Sequence, residues 1–331
     1  MSKSINIKQK IALIGCGYWG TIIINALNDI GFKDIVIFDK NKKNSLILKK
    51  KFKNLLIADS YEKLLDKKDI KSLFFATPPS SNFTIVKKAI RKNKNIFLEK
   101  PGFVSVNEFS KIISLTKKSQ NILMFGYVYC YNDYIKYIKK IISSKKLGKL
   151  LYIKFQRQNL GPIRNDINSN YDLASHDLSI ILKFFGKLPS IIKNISYPIL
   201  NKKNADISSL HMKFEDTYID INTSWLNPIK VRRITIIGAK KMLLFDELNL
   251  KSPIKIYNKY AKYPDVSQFD KKFFKSKAKI YLGNSKSIKI ISKSPLKNEI
   301  EHFFKCANKK KNPITNKKFA FKILKFLNRV N

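Results

Sequence analysis

Four apolar residues, Ile11–Ile14, run straight into Gly15-Cys16-Gly17-Tyr18-Trp19-Gly20, and an amphipathic stretch at 19–30 follows. G-x-G-x-x-G carries little information alone. Between a strand and a helix it is the fingerprint of a dinucleotide-binding βαβ unit. Gly15 permits the tight turn, Gly17 lets the backbone approach a pyrophosphate, and Gly20 lets the helix close on the strand. Tyr18 and Trp19 lie where the glycine turn passes into the helix, whose first free N–H groups face the phosphates. Asp39 closes the next apolar run, nineteen residues after Gly20. A carboxylate there accepts from a ribose diol and repels a 2′-phosphate, which favours NAD over NADP; Lys40, Lys42 and Lys43 pull the other way.

The pattern repeats. Short apolar runs at 11–14, 35–38, 55–57, 73–76 and 96–98 alternate with helical stretches at 19–30, 44–53, 61–67 and 83–92; a helix at 107–118 and a strand at 122–125 follow. Alternation of this kind predicts a doubly wound parallel sheet. From 127 the texture changes. Helices are expected at 133–143 and 175–185, a strand from 150 to 156, and a polar stretch at 158–170. Strand follows strand from 191 to about 291, including 207–214, 217–225, 232–238, 241–245 and 254–257. Residues 260–279 read as a long loop, and helices at 297–306 and 316–327 close the chain. Consecutive strands with short links predict an antiparallel sheet. The expected fold is α/β: a Rossmann domain over 1–126, then an α+β domain over 127–331 built on a large, mostly antiparallel open sheet, with closing helices that pack back on the first domain.

Composition narrows the function. Of 331 residues, 66 are Lys or Arg and 23 Asp or Glu, a net charge of +43, yet the lysines are spread along the chain and form no basic arm. The excess reads as solvated surface with weak, salt-sensitive attraction for polyanions, and no specific nucleic-acid or membrane partner is expected. Without an apolar run of signal or membrane-span length the chain reads as cytoplasmic. Cys16, Cys130 and Cys306 are too scattered for a disulfide framework, and with His176, His211 and His302 they suggest no metal site.

Thr77-Pro78-Pro79 follows the fourth run, at the sheet edge where open α/β folds bind ligands. Glu99-Lys100-Pro101 follows the fifth, and Asp172 precedes His176 by four residues, a spacing that shares a helix face. Taken together with the glycine fingerprint and in this order, these motifs resemble the glucose–fructose oxidoreductase / inositol dehydrogenase (Gfo/Idh/MocA) superfamily over nearly the whole chain. The stretch from Arg157 through Gly161-Pro162 to Asp166, followed by Tyr171-Asp172-Leu173-Ala174-Ser175-His176-Asp177, looks like the branch acting on nucleotide-linked sugars in surface-polysaccharide synthesis, such as UDP-N-acetylglucosamine or UDP-N-acetylglucosaminuronate 3-dehydrogenases. Ser175 and Asn82 depart from that pattern, which often has Pro and His there.

The resemblance implies a nicotinamide cofactor and hydride transfer at a sugar CH–OH group, with C3 of a nucleotide-linked sugar favoured. It implies Lys100 as the catalytic lysine on the reacting oxygen, with His176 sharing the proton chemistry and Asp172 orienting it. Thr77, Pro78, Glu99 and Lys100 join Gly15, Gly17, Tyr18, Trp19, Gly20 and Asp39 around the cofactor. Asn159, Arg164, Asp166, Tyr127, Asp172 and His176 are expected toward the substrate; an Arg at 164 could hold a carboxylate or pyrophosphate through its planar fork. A homodimer or homotetramer is implied. Two alternatives stay open: a dehydrogenase of a free cyclitol or monosaccharide, and a non-catalytic NAD-binding sensor.

Overall fold

A computed structural model describes residues 6–118, 121–200, 202–262 and 278–330. Two compact units emerge: residues 1–132 with 293–329 and 331, and residues 133–292 with 330. In the first, β1 (Ile11–Ile14), α1 (Tyr18–Ile30), β2 (Ile35–Phe38), α2 (Lys42–Lys51), β3 (Leu56–Ile57), α3 (Tyr61–Asp66), β4 (Ser72–Phe75), α4 (Pro79–Arg91), β5 (Asn95–Glu99), α5 (Val106–Leu115) and β6 (Leu123–Gly126) alternate as expected. The sheet order is β3-β2-β1-β4-β5-β6, and every pairing is parallel. The order reverses between β1 and β4, so ligands belong at the carboxyl ends of those strands. Central strands β1 and β4 are buried throughout, the mark of a sheet covered on both faces.

The second unit contains α6 (Asp133–Ser143), β7 (Leu150–Leu160), a π-helical turn at Asn170–Ala174, α7 (Ser175–Phe185), β8 (Ser190–Tyr197), β9 (Ile207–Phe214), β10 (Thr217–Ser224), β11 (Leu226–Gly238), β12 (Met242–Asp246), β13 (Ile254–Lys262) and β14 (Lys279–Ile288). Its sheet runs β14-β13-β12-β11-β7-β10-β9-β8. All neighbours are antiparallel except β10 and β7, which are parallel. Along β7 the buried side chains alternate as Ile153, Phe155 and Arg157, the period of two that turns one face inward.

Three expectations need correction. The strand expected at 150–156 continues to Leu160, into the stretch read as polar loop, because β11 pairs with it as far as Leu226–Leu160. Tyr260–Lys262 and Lys279 are paired strand residues and not loop; positions 263–277 of that expected loop lie outside the described residues. The turn before α7 is π-helical and not α-helical.

The closing helices α8 (Pro295–Lys309) and α9 (Lys317–Val330), but for the last residue, count with the first unit. Helix α8 sets Phe303 edge-on to Phe74 at 5.3 Å and to Phe97 at 5.9 Å, and stacks Phe304 on Phe32 at 4.6 Å. Helix α9 adds Phe321 against Phe109 at 5.4 Å. Such rings supply much of the buried apolar area of the core.

Candidate active site

The two units each carry one cluster of the residues singled out from the sequence. In the first, the turn after β1 is shaped by its glycines. Gly15 has φ +94°, and a Cβ on it would lie 2.5 Å from the Ala76 carbonyl oxygen; only glycine lets this turn meet the loop after β4. A Cβ on Gly20 would lie 2.2 Å from the Gly15 carbonyl oxygen. A Cβ on Gly17 would meet no atom within 4 Å, so the turn is open on that side. Gly17 is also the N-cap of α1 and supplies no side-chain cap. An open backbone turn over an uncapped helix start is the chemistry an anionic pyrophosphate needs. Tyr18 is 79% exposed and Trp19 also faces out.

Asp39 follows β2 and reaches the same turn. Its carboxylate accepts from the Cys16 N–H at 2.8 Å and the Asn41 N–H at 2.8 Å. These amides fix the side chain while leaving lone pairs for further donors. The Cys16 thiol beside it is buried against Ser45, and burial pushes it up to about 11, so it stays a thiol.

Thr77 and Pro78 follow β4, whose end is tied to β1 by the bond from Ala76 N–H to the Ile14 carbonyl. The Thr77 hydroxyl donates to Asn82 Oδ1 at 2.5 Å, and Asn82 Nδ2 donates to the Gly102 carbonyl at 2.7 Å. Asn82 is fully buried. It thus joins the loop after β4 to the Lys100-Pro101-Gly102 turn after β5, a link the sequence reading missed when it noted only that His often stands there. The Lys100–Pro101 peptide is cis. Glu99 ends β5 opposite Gly126, and a Cβ on Gly126 would lie 2.9 Å from each Glu99 carboxyl oxygen. Burial pushes Glu99 up to about 7, partly offset by the charge and backbone N–H of Lys100. Tyr127, expected toward the substrate, is 1% exposed with its ring against Phe319, which makes it a core aromatic of this unit.

The second cluster joins Arg164, Asp166 and Asp172. Arg164 makes a bidentate pair with Asp166, Nε to Oδ1 at 2.9 Å and one terminal nitrogen to Oδ2 at 2.7 Å, and its other terminal nitrogen lies 3.8 Å from Asp172 Oδ1. Burial alone would lower the guanidinium, but pairing with Asp166 and Asp172 raises it; Asp166 is held below the usual carboxylate range by Arg164. Two of the fork's donors are therefore engaged within the protein, and an anionic substrate would have to exchange with Asp166. Trp225 Nε1 donates to Asp172 Oδ2 at 3.3 Å. Asn159 bonds the Gly161 carbonyl through Nδ2 and accepts from Arg232 through Oδ1. Asp172 lies in the π-helical turn and His176 in the first turn of α7; π-helical turns recur at functional sites.

Two groups with clear roles escaped the sequence reading as a pair. Arg157 on β7 and Asp177 on α7 form a bidentate ion pair, with Nε–Oδ2 3.3 Å and a terminal nitrogen to Oδ1 at 2.7 Å; their side chains are 6% and 2% exposed. This pair fixes the residue next to His176. Burial outweighs Arg157 and pushes the Asp177 carboxyl above its usual range. The signal was present: Arg157 falls on the inward period of β7, and Asp177 falls inside an otherwise apolar helix.

Residues 9–127 match the Gfo/Idh/MocA family, described as an oxidoreductase family with an NAD-binding Rossmann fold, which bears out the resemblance drawn from the motifs. A UDP-N-acetylglucosamine 3-dehydrogenase of Acidithiobacillus ferrooxidans is 22% identical over 197 residues, 58% of this chain and 60% of that protein. A glucose-6-phosphate 3-dehydrogenase of Bacillus subtilis is 24% identical over 243 residues, 69% of this chain and 67% of that protein. The match to an uncharacterised oxidoreductase of Bacillus subtilis, YrbE, is 23% identical over 159 residues; it covers 46% of this chain and spans about half of the relative's own length, 47%. The solved structure of the Acidithiobacillus enzyme superposes with a TM-score of 0.77 at 18% identity, over 98% of this chain and 97% of that one, a likeness of fold. Among the described residues, no helix is long and apolar enough to cross a membrane.

Proposed function

Starting from a first domain that is a Gfo/Idh/MocA Rossmann domain over residues 9–127, we propose that this chain is an NAD-dependent dehydrogenase acting at C3 of a nucleotide-linked sugar in surface-polysaccharide synthesis. The observation that carries the reading is the open turn at Gly17, over the uncapped start of α1 and beside the backbone-anchored Asp39 carboxylate. Gly15, Gly17, Tyr18, Trp19 and Gly20 would hold the pyrophosphate end of the cofactor, and Asp39 the adenosine ribose, which favours NAD over NADP. When bound, the nicotinamide supplies the hydride acceptor or donor.

The chain's own residues do the rest. Lys100 stands at the carboxyl end of β5, on a turn held by Asn82 through the Gly102 carbonyl; it bonds the reacting oxygen and moves its proton. His176 is the second proton-handling group. Its backbone is braced by the buried Arg157–Asp177 pair next to it. Asn159, Arg164, Asp166 and Asp172 form a polar surface for the substrate, whose negative charge suits the Arg164 fork once Asp166 is exchanged. A homo-oligomer in the cytoplasm completes the reading.

Candidate UDP-sugars incubated with NAD, with NADH absorbance followed, test it. UDP-N-acetylhexosamines or their uronates should be turned over well above the corresponding free sugars. Equal turnover of free sugars or cyclitols would move the substrate class, and NADH binding without turnover on any sugar would reduce the protein to a sensor.

A further inference from the structure

Helices α4 and α5 of the first unit enclose a groove of about 570 Å³. Phe83, Lys87 and Arg91 line it from α4, four residues apart and so on one stripe of that helix. Lys111 and Leu115 line it from α5, with the Ser110 and Ser114 hydroxyls beside them. Both hydroxyls donate to their own helix, to the Val106 and Ser110 carbonyls, so they offer a ligand lone pairs only. The side-chain donors of the groove are therefore its three cations.

Those cations are uncompensated. Among the described residues, no acid lines the groove, and Lys87, Arg91 and Lys111 meet no carboxylate. Neighbouring lysines are placed differently: Lys88 pairs with Glu62 at 2.6 Å, and Lys92, at the end of α4, with Asp66 at 2.6 Å. Acids of α3 thus neutralise one side of α4, and the side toward α5 keeps its charge. In a chain with 66 basic and 23 acidic residues an unpaired lysine is ordinary. Three cations converging from two helices on one concave surface are not, because like charges repel there until an anion lies among them.

The groove also has an apolar part. Phe83 and Leu115 are half-buried, and Lys87 Nζ lies over the Phe83 ring, 5.6 Å from its centroid. With no carboxylate in reach, the ammonium rests on the negative face of an aromatic ring, a weaker partner than a phosphate oxygen. A phosphate would draw Lys87 off the ring and leave its face to a flat group.

We propose that the α4–α5 groove is a second nucleotide site, in which Lys87, Arg91 and Lys111 hold the phosphates of a nucleoside polyphosphate and Phe83 stacks on its base. The Arg91 fork suits two phosphate oxygens, and the lysines act as point charges. The volume suits such a ligand, since small-molecule sites span about 300–1,000 Å³. None of the lining residues belongs to the cofactor or substrate set, so the inference goes beyond the dehydrogenase reading and does not rest on it.

The test is calorimetric titration of ATP into the full chain at about 0.15 M salt, with excess NADH present to fill the glycine turn. ATP should bind one further site per chain with a Kd below about 1 mM. Lys87→Gln, Arg91→Gln and Lys111→Gln should each weaken it about tenfold. Lys88→Gln, the same charge lost from the same helix, should change it by less than about twofold. Phe83→Leu should weaken ATP at least about fivefold and inorganic triphosphate by less than about twofold. Photolabelling with azido-ATP, mapped by mass spectrometry, should mark peptides of 83–91 or 110–115 with NADH present. No further site under NADH, an equal loss in Lys88→Gln, or triphosphate binding as tightly as ATP would overturn the proposal. Labelling confined to the turn at 15–20 would do the same, as would an oligonucleotide that outcompetes ATP at that salt, which would make the groove a nucleic-acid contact.

Discussion

Removing Asp177 alone should unfold the second unit far more easily than removing Asp177 and Arg157 together. The two side chains are 2% and 6% exposed and share a bidentate bond. Asp177→Leu strands a guanidinium in the interior, and Arg157→Met strands a carboxylate. Breaking one side of a buried pair costs about 3–5 kcal/mol, whereas an apolar replacement of both is often neutral. The Asp177 carboxyl is already pushed up because burial outweighs the help of Arg157, so the pair itself adds little net stability and the double variant should fall within about 1 kcal/mol of wild type. For a unit of this size each single change should lower the midpoint of thermal unfolding by ~10 °C. A double-mutant cycle from urea unfolding followed by circular dichroism should give a coupling above about 2 kcal/mol. Single variants that cost less than about 1 kcal/mol, or that add to give the double, would refute the claim that this pair is a dry, mutually dependent brace beside His176.

Other outcomes follow from the first unit. Gly17→Val should keep the fold, since its Cβ meets nothing within 4 Å, yet weaken NADH binding at least about tenfold; Gly15→Ala, at φ +94° and 2.5 Å from the Ala76 oxygen, should cost about 2 kcal/mol of stability as well, measurable by thermal unfolding. Asp39→Ser should move the NAD-to-NADP ratio of binding constants toward NADP by about tenfold, read by isothermal titration. Glu99 is raised from 4.5 to about 7, so the folded state binds its proton more tightly than the unfolded chain. That contribution is fully present below about pH 4.5 and is lost as pH rises through about 7, a swing of about 3 kcal/mol. From acid to alkaline pH the urea midpoint should therefore fall more in wild type than in Glu99→Gln.

Where the sequence spoke clearly, one physical constraint acted on it. The Rossmann half was legible because β1, β4 and β5 are covered on both faces and so appear as unbroken apolar runs, each followed by a helix of the right length. Gly15 and Gly20 were legible because a Cβ on either would strike backbone, and Gly17 because its missing side chain leaves the turn open. Polar residues with two possible partners were not. The end of β7, Gln158 to Leu160, looks like a loop until β11 supplies its hydrogen bonds. Asp172 and His176 look like one helical face until the π-helical turn alters the spacing. Asn82 looked like a departure from the family until its bonds to Thr77 and Gly102 were seen.

Deuterium tracing follows the transferred hydride itself. UDP-N-acetylglucosamine and its uronate, each deuterated at C3, are incubated with NAD and the protein, and the reduced cofactor is weighed by mass spectrometry. Deuterium should appear in the reduced nicotinamide with wild type, and the rate should be lower by about 10²–10⁴ for Lys100→Ala while NADH binding is retained. Reduced cofactor without deuterium, or undiminished transfer in Lys100→Ala, would contradict the dehydrogenase reading.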